Sequence, residues 1–370
     1  MRRLTVVQLL PALDAGGVER STLEIVEALV GDGHRAIVVS KGGRMLPQLQ
    51  AIGAEHFALD IGRKSPWTFR HVPALRRLFS EVDADIMHAR SRLPAWIGWR
   101  ALQGMHGPRP RFVTTAHGLN SPSRYSAIMA RGERVICVSN VVRAHLLQHY
   151  PRTDPQRLRV IPRGIDPARF ARVTMPGRVL RARLSMQHPQ LGGDGPLLLL
   201  PGRGTRLKGH ADALDLLVAL RADGMDARLW MPGALDPGRT AYIDELQARA
   251  RAAGIADALA ITAPTDAIAE AYAASDLVLQ LSRKPEAFGR TVIEALAVGR
   301  PVLGWAHGGV GELLAQLQPE GAVAAFDMDV LGQRARVLLA HPPMPAATMP
   351  YTLQAMQRAT MDAYRELSEQ

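Results

Sequence analysis

Among the groups in this 370-residue chain that can do chemistry, two carboxylates stand out: Glu286 and Glu294, with seven residues between them. They lie in SDLVLQLSRKPEAFGRTVIEALAVGRPVLGWAHGGVGELL, residues 275–314. A short apolar strand (Leu277–Leu281) runs into a polar loop holding Lys284, Pro285 and Glu286, and a helix is predicted from Phe288–Gly289 to about Ala297. Glu286 then sits in the strand-to-helix loop and Glu294 two turns into the helix. Both can face a single ligand at the carboxyl edge of a parallel sheet. Gly289 lets backbone approach that ligand, and the helix start at Gly289, Arg290 and Thr291 suits a phosphate. A second strand, Pro301–Trp305, leads into His307-Gly308-Gly309 and Glu312 at another helix start. Two neighbouring strand ends of this kind build a nucleotide-phosphate site.

Other candidates occupy equivalent positions. The turn PGRGTRLKG (201–209) follows a strand at Pro196–Leu200 and precedes a helix at Ala211–Ala222. Its Arg203 and Lys208 flank glycines, so two cations meet a helix N-terminus, which suits a diphosphate. It is not a P-loop, because the Lys-Ser/Thr end and the upstream glycine spacing are missing. Gly16 and Gly17 stand between the first strand (Leu4–Leu10) and a helix running from Ser21; a phosphate cradle and a plain structural turn both use such a pair. His117-Gly118 ends a strand at Arg111–Ala116, where the histidine either touches a sugar as a hydrogen-bond partner or serves packing. Arg90 and Arg92 end the strand Ala84–His88 and are candidates for an anionic group on a substrate.

The elements that must position these groups alternate strand and helix twice along the chain, the pattern of a doubly wound parallel sheet in each of two domains. The Pro/Gly/Arg-rich stretch from about 172 to 196, broken by a helix at Arg178–Ser185, marks the boundary. The predicted domains are 1–172 and 173–350, with an amphipathic helix over 351–370. A hydrophobic content of 47% excludes a disordered chain, and no apolar run is long enough to span a bilayer. The opening MRRLTVVQLLPALDAGG is read as a first strand, not a signal peptide, because Pro11 and Asp14 break its apolar run. A single cysteine, Cys137, in the apolar strand Val135–Val138 fits a reducing cytoplasm and a buried inert thiol.

The net charge of +11 is uneven: residues 1–172 hold 26 Lys/Arg against 13 Asp/Glu, the remainder 19 against 21. The first domain therefore faces something anionic. Nucleic acid is disfavoured, since no helix-turn-helix, zinc spacing or aromatic RNA-binding strand is present. Between 63 and 79, Trp67, Phe69, Leu75, Leu78 and Phe79 interleave with five basic residues. Two readings remain open: an amphipathic patch lying in lipid headgroups, or a core-facing helix with a solvated basic face.

Taken together, these residues resemble the retaining GT-B glycosyltransferases of family 4. The resemblance rests on Gly16-Gly17, His117-Gly118, Val138-Ser139, PRGID at 162–166, Gly202-Arg203 with Lys208-Gly209, and above all Glu286 and Glu294 with Phe288-Gly289 and Gly308-Gly309-x-x-Glu312. GGVER and HARSR (88–92) look most like enzymes of lipopolysaccharide core assembly, some of them mannosyltransferases.

The resemblance implies a hexosyltransferase with two Rossmann-like domains facing a cleft and the C-terminal helix crossing back to the first. Arg203 and Lys208 would hold the donor diphosphate. Glu294 would accept from the ribose hydroxyls, Phe288, Gly289, Arg290 and Thr291 would add phosphate contacts, and the 262–266 loop around Pro264 would select the base. Glu286 would fix the donor sugar, His117 would contact it, and Gly16-Gly17 would close on the phosphate. Similar enzymes need no metal or other cofactor and retain configuration by same-face attack, the leaving phosphate taking the acceptor's proton. The expected partners are a nucleotide sugar and an anionic glycolipid or oligosaccharide, met by Arg90 and Arg92 at the inner membrane face. A nucleotide-sugar epimerase-like enzyme or a non-catalytic sugar-nucleotide-binding subunit are the alternatives. Ala287 stands where the family usually has Gly or Pro.

Overall fold

The computed structural model describes residues 2–14, 16–173, 177–235, 240–346 and 348–369. Its backbone falls into two compact units, Met1–Gly164 with Leu353–Gln370, and Ile165–Thr352. The division lies ahead of the 172/173 boundary that composition suggests. Backbone pairing explains the difference: Ile165 bridges Thr352 in parallel and donates its N–H to Tyr351 O at 3.0 Å, which ties residues 165–173 to the second unit.

In the first unit the chain runs β1 (Thr5–Leu9), α1 (Gly17–Gly31), β2 (Arg35–Ser40), α2 (Leu46–Ala51), β3 (Glu55–Ala58), α3 (Val72–Glu81), β4 (Ile86–Ala89), α4 (Arg92–Gln103), β5 (Arg111–Ala116), β6 (Arg134–Cys137), α5 (Asn140–His149) and β7 (Leu158–Val160). The strands form one parallel sheet in the order β3-β2-β1-β4-β5-β6-β7. Helices cover both faces, so the inner strands read as near-continuous apolar runs such as TVVQL and RAIVVS.

The second unit contains α6 (Arg178–Gln187), β8 (Leu197–Leu199), α7 (His210–Ala222), β9 (Arg228–Pro232), α8 (Thr240–Ala252), β10 (Leu259–Thr262), α9 (Ile268–Ala274), β11 (Leu277–Gln280), α10 (Arg290–Val298), β12 (Val302–Trp305), α11 (Gly308–Leu317), β13 (Ala322–Val323) and α12 (Met328–Ala340). Its parallel sheet is ordered β10-β9-β8-β11-β12-β13. In each sheet the strand order reverses once, beside β1 and β4 in the first and beside β8 and β11 in the second. Helices leave the sheet on opposite faces at such a point and open a crevice at the carboxyl ends of the two strands. The turn 201–209 follows β8 and the Glu286 loop follows β11, so sequence order alone delivers both to one crevice.

The last helix, α13 (Leu353–Ser368), belongs to the first unit and packs on α1. Met356, Thr360, Met361, Ala363, Tyr364 and Leu367 are buried along one helical face, as a 3.6-residue period dictates. Polar ties fix its register: Tyr364 OH meets His88 Nδ1 at 2.6 Å, Gln357 donates to Glu24 O at 2.7 Å, and Arg134 reaches Glu366 at 2.8 Å. No helix among the described residues is long and apolar enough to cross a membrane.

The two readings of residues 63–79 divide between adjacent elements. Helix α3 buries Leu75, Leu78 and Phe79 and is core-facing. The preceding 3-10 turn, Pro66–His71, leaves Trp67 77% and Phe69 40% exposed beside Arg63, Lys64 and Arg70. Cys137 is buried in β6, and burial pushes its thiol up to about 12, the inert state expected of it.

Candidate functional site

In the second unit, the turn after β8 is pressed onto the end of β11. Gly209 adopts φ 76°, and a Cβ there would lie 2.0 Å from Leu281 O, so only glycine permits the approach. This brings Lys208 Nζ to 2.5 Å from Glu286 Oε1. The same carboxylate accepts from Ser282 Oγ at 2.5 Å and Gln280 Nε2 at 3.2 Å. Lys208 and Glu286 keep 31% and 25% of their side-chain surfaces, enough for a ligand to touch both.

The Glu286 loop is fastened from behind. Gly309 N donates to Glu286 O at 2.7 Å, and His307 Nε2 meets Ser282 O at 2.8 Å. A Cβ on Gly309 would fall 2.5 Å from Phe288 Cα and 2.6 Å from Ala287 O. The Gly308-Gly309 pair thus holds the loop through close backbone contact. Gly289 caps α10 at φ 123°, and the positive end of that helix points to the same crevice.

Glu294 lies just over one turn into α10, because the helix starts at Arg290, two residues later than its predicted start. Glu294 is 5% exposed, and its carboxylate accepts from Tyr272 OH at 2.9 Å and lies 3.5 Å from Arg290 Nε. Phe288 is 7% exposed and meets Tyr351 edge-on at 5.8 Å, so only its backbone faces the crevice. Thr291, in the first turn of α10, is half-buried. Of the cations in the 201–209 turn, Arg206 is committed to Glu245 at 2.5 Å and stacks on Tyr242, while Arg203 is exposed and makes no ion pair among the described residues. Pro264 lines a cavity of about 500 Å³ with Thr262, Ala263, Thr265, Trp230 and Glu270.

At the crevice edge of the first sheet, Gly16 caps α1 and Gly17 leaves open space beside it. His117 ends β5, and its Nδ1 is hydrogen-bonded by Arg163 Nη2. Burial first, then the charges of Arg163 and Arg90, hold the His117 imidazole well below its ordinary pKa, so the ring is neutral near pH 7.

Arg90 departs from expectation. Its N–H bonds Leu9 O at 3.0 Å and extends the strand pairing, which turns the side chain inward to 3% exposure. There it donates to Gln8 Oε1 at 2.6 Å and Ser21 Oγ at 3.3 Å, and it is an interior arginine, not a surface contact for an acceptor. Arg92, at the start of α4, stays half-exposed, donating to Ser126 Oγ at 3.2 Å and lying over the Tyr125 ring.

Several residues that shape these sites are given no role by the sequence: Gln280, Ser282 and Tyr272 around the two glutamates, and Ser21, His88 and Arg163 around His117, although His88 and Arg163 lie in the HARSR and PRGID motifs. A signal existed for two of them. Gln280 interrupts LVLQL and His88 interrupts IMHA, polar side chains inside otherwise apolar strands.

A family model described as Glycosyltransferase Family 4 matches residues 15–169, and one described as Glycosyl transferases group 1 matches residues 183–352. The chain belongs to the family-4 glycosyltransferases. The crystal structure of a glycosyltransferase from Rickettsia africae ESF-5 superposes with a TM-score of 0.87 at 25% identity, covering 99% of each chain. Anabaena HepE in complex with UDP and glucose, at 17% identity, shares the fold with a TM-score of 0.76 over 99% of this chain and 98% of that one. The D-inositol 3-phosphate glycosyltransferase of Segniliparus rotundus is 32% identical over 249 residues, 61% of this chain and 52% of that protein. This glycosyltransferase chain therefore spans about half the length of the curated relatives it matches. Both of its units carry the parallel-sheet architecture of GT-B enzymes.

Proposed function

We propose that this chain is a retaining hexosyltransferase that moves a sugar from a nucleoside-diphosphate donor to an anionic glycolipid or oligosaccharide. The observation that carries the reading is the Lys208–Glu286 pair beside the α10 N-terminus. A cation and a helix dipole suit a diphosphate, and the neighbouring carboxylate suits sugar hydroxyls. Lys208 and Arg203 stabilise the charge that develops on the leaving phosphate, a stabilisation larger in the transition state than in the ground state. Glu286, held by Ser282 and Gln280, orients the donor sugar; Glu294 accepts from the ribose; Pro264 and its cavity take the base. No metal is required, and the leaving phosphate receives the acceptor's proton.

The acceptor side is read from charge. The excess of cations in residues 1–172, Arg92 beside Tyr125, and the exposed Trp67–Phe69 turn among basic residues favour an anionic acceptor at the inner membrane surface, as in lipopolysaccharide core assembly. The chain would then work in the cytoplasm as a peripheral membrane enzyme. A thermal-shift panel of UDP, GDP, ADP and their common sugar conjugates tests the donor reading, since a ligand of the native state raises Tm by mass action. One nucleotide series should raise Tm in the wild type. No shift at millimolar concentration of any of them overturns the donor assignment. Product that forms only when an acceptor is present separates transfer from epimerisation.

A further inference from the structure

Arg163 has no part in the chemistry described so far, yet it makes the most informative contact of the first unit. It lies in the turn after β7, is 8% exposed, and uses two nitrogens of one guanidinium: Nη1 donates to Ser21 Oγ on α1, and Nη2 donates to His117 Nδ1 at the end of β5. A guanidinium has five N–H donors and no acceptor, and it does not lose its charge in proteins. The nitrogen it meets must therefore carry a lone pair. In a neutral imidazole that assigns the proton to the other nitrogen, Nε2. His117 Nε2 is shielded from solvent and has no hydrogen-bond partner among the described residues. A buried N–H donor without a partner is costly, and a substrate oxygen is the group that would satisfy it.

From this geometry we propose that Arg163 is a positioning residue that locks His117 in the Nε2–H tautomer, so that His117 donates a hydrogen bond to a substrate oxygen and does not act as a general base. The proposal rests on the transferase reading for what the oxygen belongs to, a donor-sugar hydroxyl or a phosphate oxygen, but not for the tautomer itself. To remove the acceptor's proton at Nε2, His117 would first have to move its own proton to Nδ1, which faces Arg163. The surroundings oppose protonation of the ring as well. The charged or titratable groups bearing on it are Arg163, Arg90 just after β4 and His88 within β4, with Tyr364 of α13 and Glu24 of α1 acting on Arg90. His88 itself is buried between Tyr364 OH and Thr115 Oγ1, each at 2.6 Å. Ser21 Oγ receives both Arg163 and Arg90, so one hydroxyl on α1 registers the two arginines against the histidine.

The test is a long-range proton–nitrogen NMR spectrum of the full chain with labelled histidine, recorded from pH 5.5 to 8, with the His117 signals assigned by their loss in His117→Gln. The wild type should show a protonated Nε2 and a bare Nδ1 across the whole range. Arg163→Met should mix the tautomers and populate a protonated Nδ1, while burial and Arg90 still oppose protonation of the ring, and Arg163→Lys should restore part of the wild-type pattern. Should Arg163→Met fail to fold, Ser21→Ala loosens the same guanidinium and should move the signals in the same direction. With a working donor, Arg163→Met should lower kcat roughly tenfold to a hundredfold, with donor KM changed less than about threefold, as for a misoriented catalytic group. A protonated Nδ1 in the wild type overturns the proposal, as do wild-type signals in Arg163→Met. An altered tautomer with unchanged kcat overturns its catalytic part. Absence of turnover with every donor would count against the transferase reading alone and leave the spectra to decide the tautomer.

Discussion

Replacing Lys208 by methionine keeps the aliphatic stem and removes the charge, which separates donor binding from folding. The Lys208–Glu286 pair is 31% and 25% exposed, and partly exposed pairs contribute about 0–1 kcal/mol after solvent screening. For a unit the size of residues 165–352, that corresponds to a Tm loss below about 4 °C. A charged hydrogen bond to phosphate is worth about 1.5–3 kcal/mol, or roughly tenfold to 150-fold in Kd. Titration calorimetry with the nucleoside diphosphate should therefore show a binding loss far larger than the stability loss. The partner substitution sharpens the test, because Glu286 holds the same ammonium in the free protein. Glu286→Gln should leave the nucleoside diphosphate bound as well or up to about fivefold tighter while turnover of the sugar nucleotide falls. A Lys208→Met protein that binds within twofold of wild type would refute the placement of the diphosphate.

Further outcomes follow from packing and burial. Gly309→Ala puts a methyl 2.5 Å from the Phe288 backbone, an overpacking that should cost about 1–3 kcal/mol in urea unfolding and lower turnover by displacing Glu286. His210, fully buried at the start of α7, is held down to about 4 by burial. Its unfolded form binds a proton between about pH 6.5 and 4 and its folded form does not, so stability is complete above 6.5 and falls as pH drops through that window. The loss is on the order of 3 kcal/mol, and His210→Gln should flatten that part of the stability–pH curve. Tyr364→Phe removes the hydroxyl that meets His88 and should destabilise the protein by about 1–3 kcal/mol in the same denaturation assay.

The alternation of elements was legible because it is written locally. Strands such as Leu277–Gln280 and Val302–Trp305 fall within one residue of their predicted ends, since apolar runs between glycine-rich turns mark them. Element β13 has only two residues and no pattern to detect, and α12 was not singled out. In the second crevice, the cations and carboxylates were recognisable because turn and loop each lie next to the strand that positions them. The first crevice was less so. Arg90, Ser21, Arg163 and His117 are brought together across separations of 46 to 142 residues, and no local spacing encodes which arginine turns inward. Arg90 and Arg92 look alike in HARSR, but strand pairing at Arg90 N and the helix start at Arg92 send one inside and leave the other half-exposed.

A structure of the chain with the nucleoside diphosphate that gives the largest thermal shift tests the central claim most directly. The diphosphate should lie within hydrogen-bond distance of Lys208 Nζ and the first-turn amides of α10, with the ribose at Glu294 and the base in the cavity lined by Pro264. A nucleotide bound elsewhere in the second unit, with Lys208 still closed on Glu286, would contradict it.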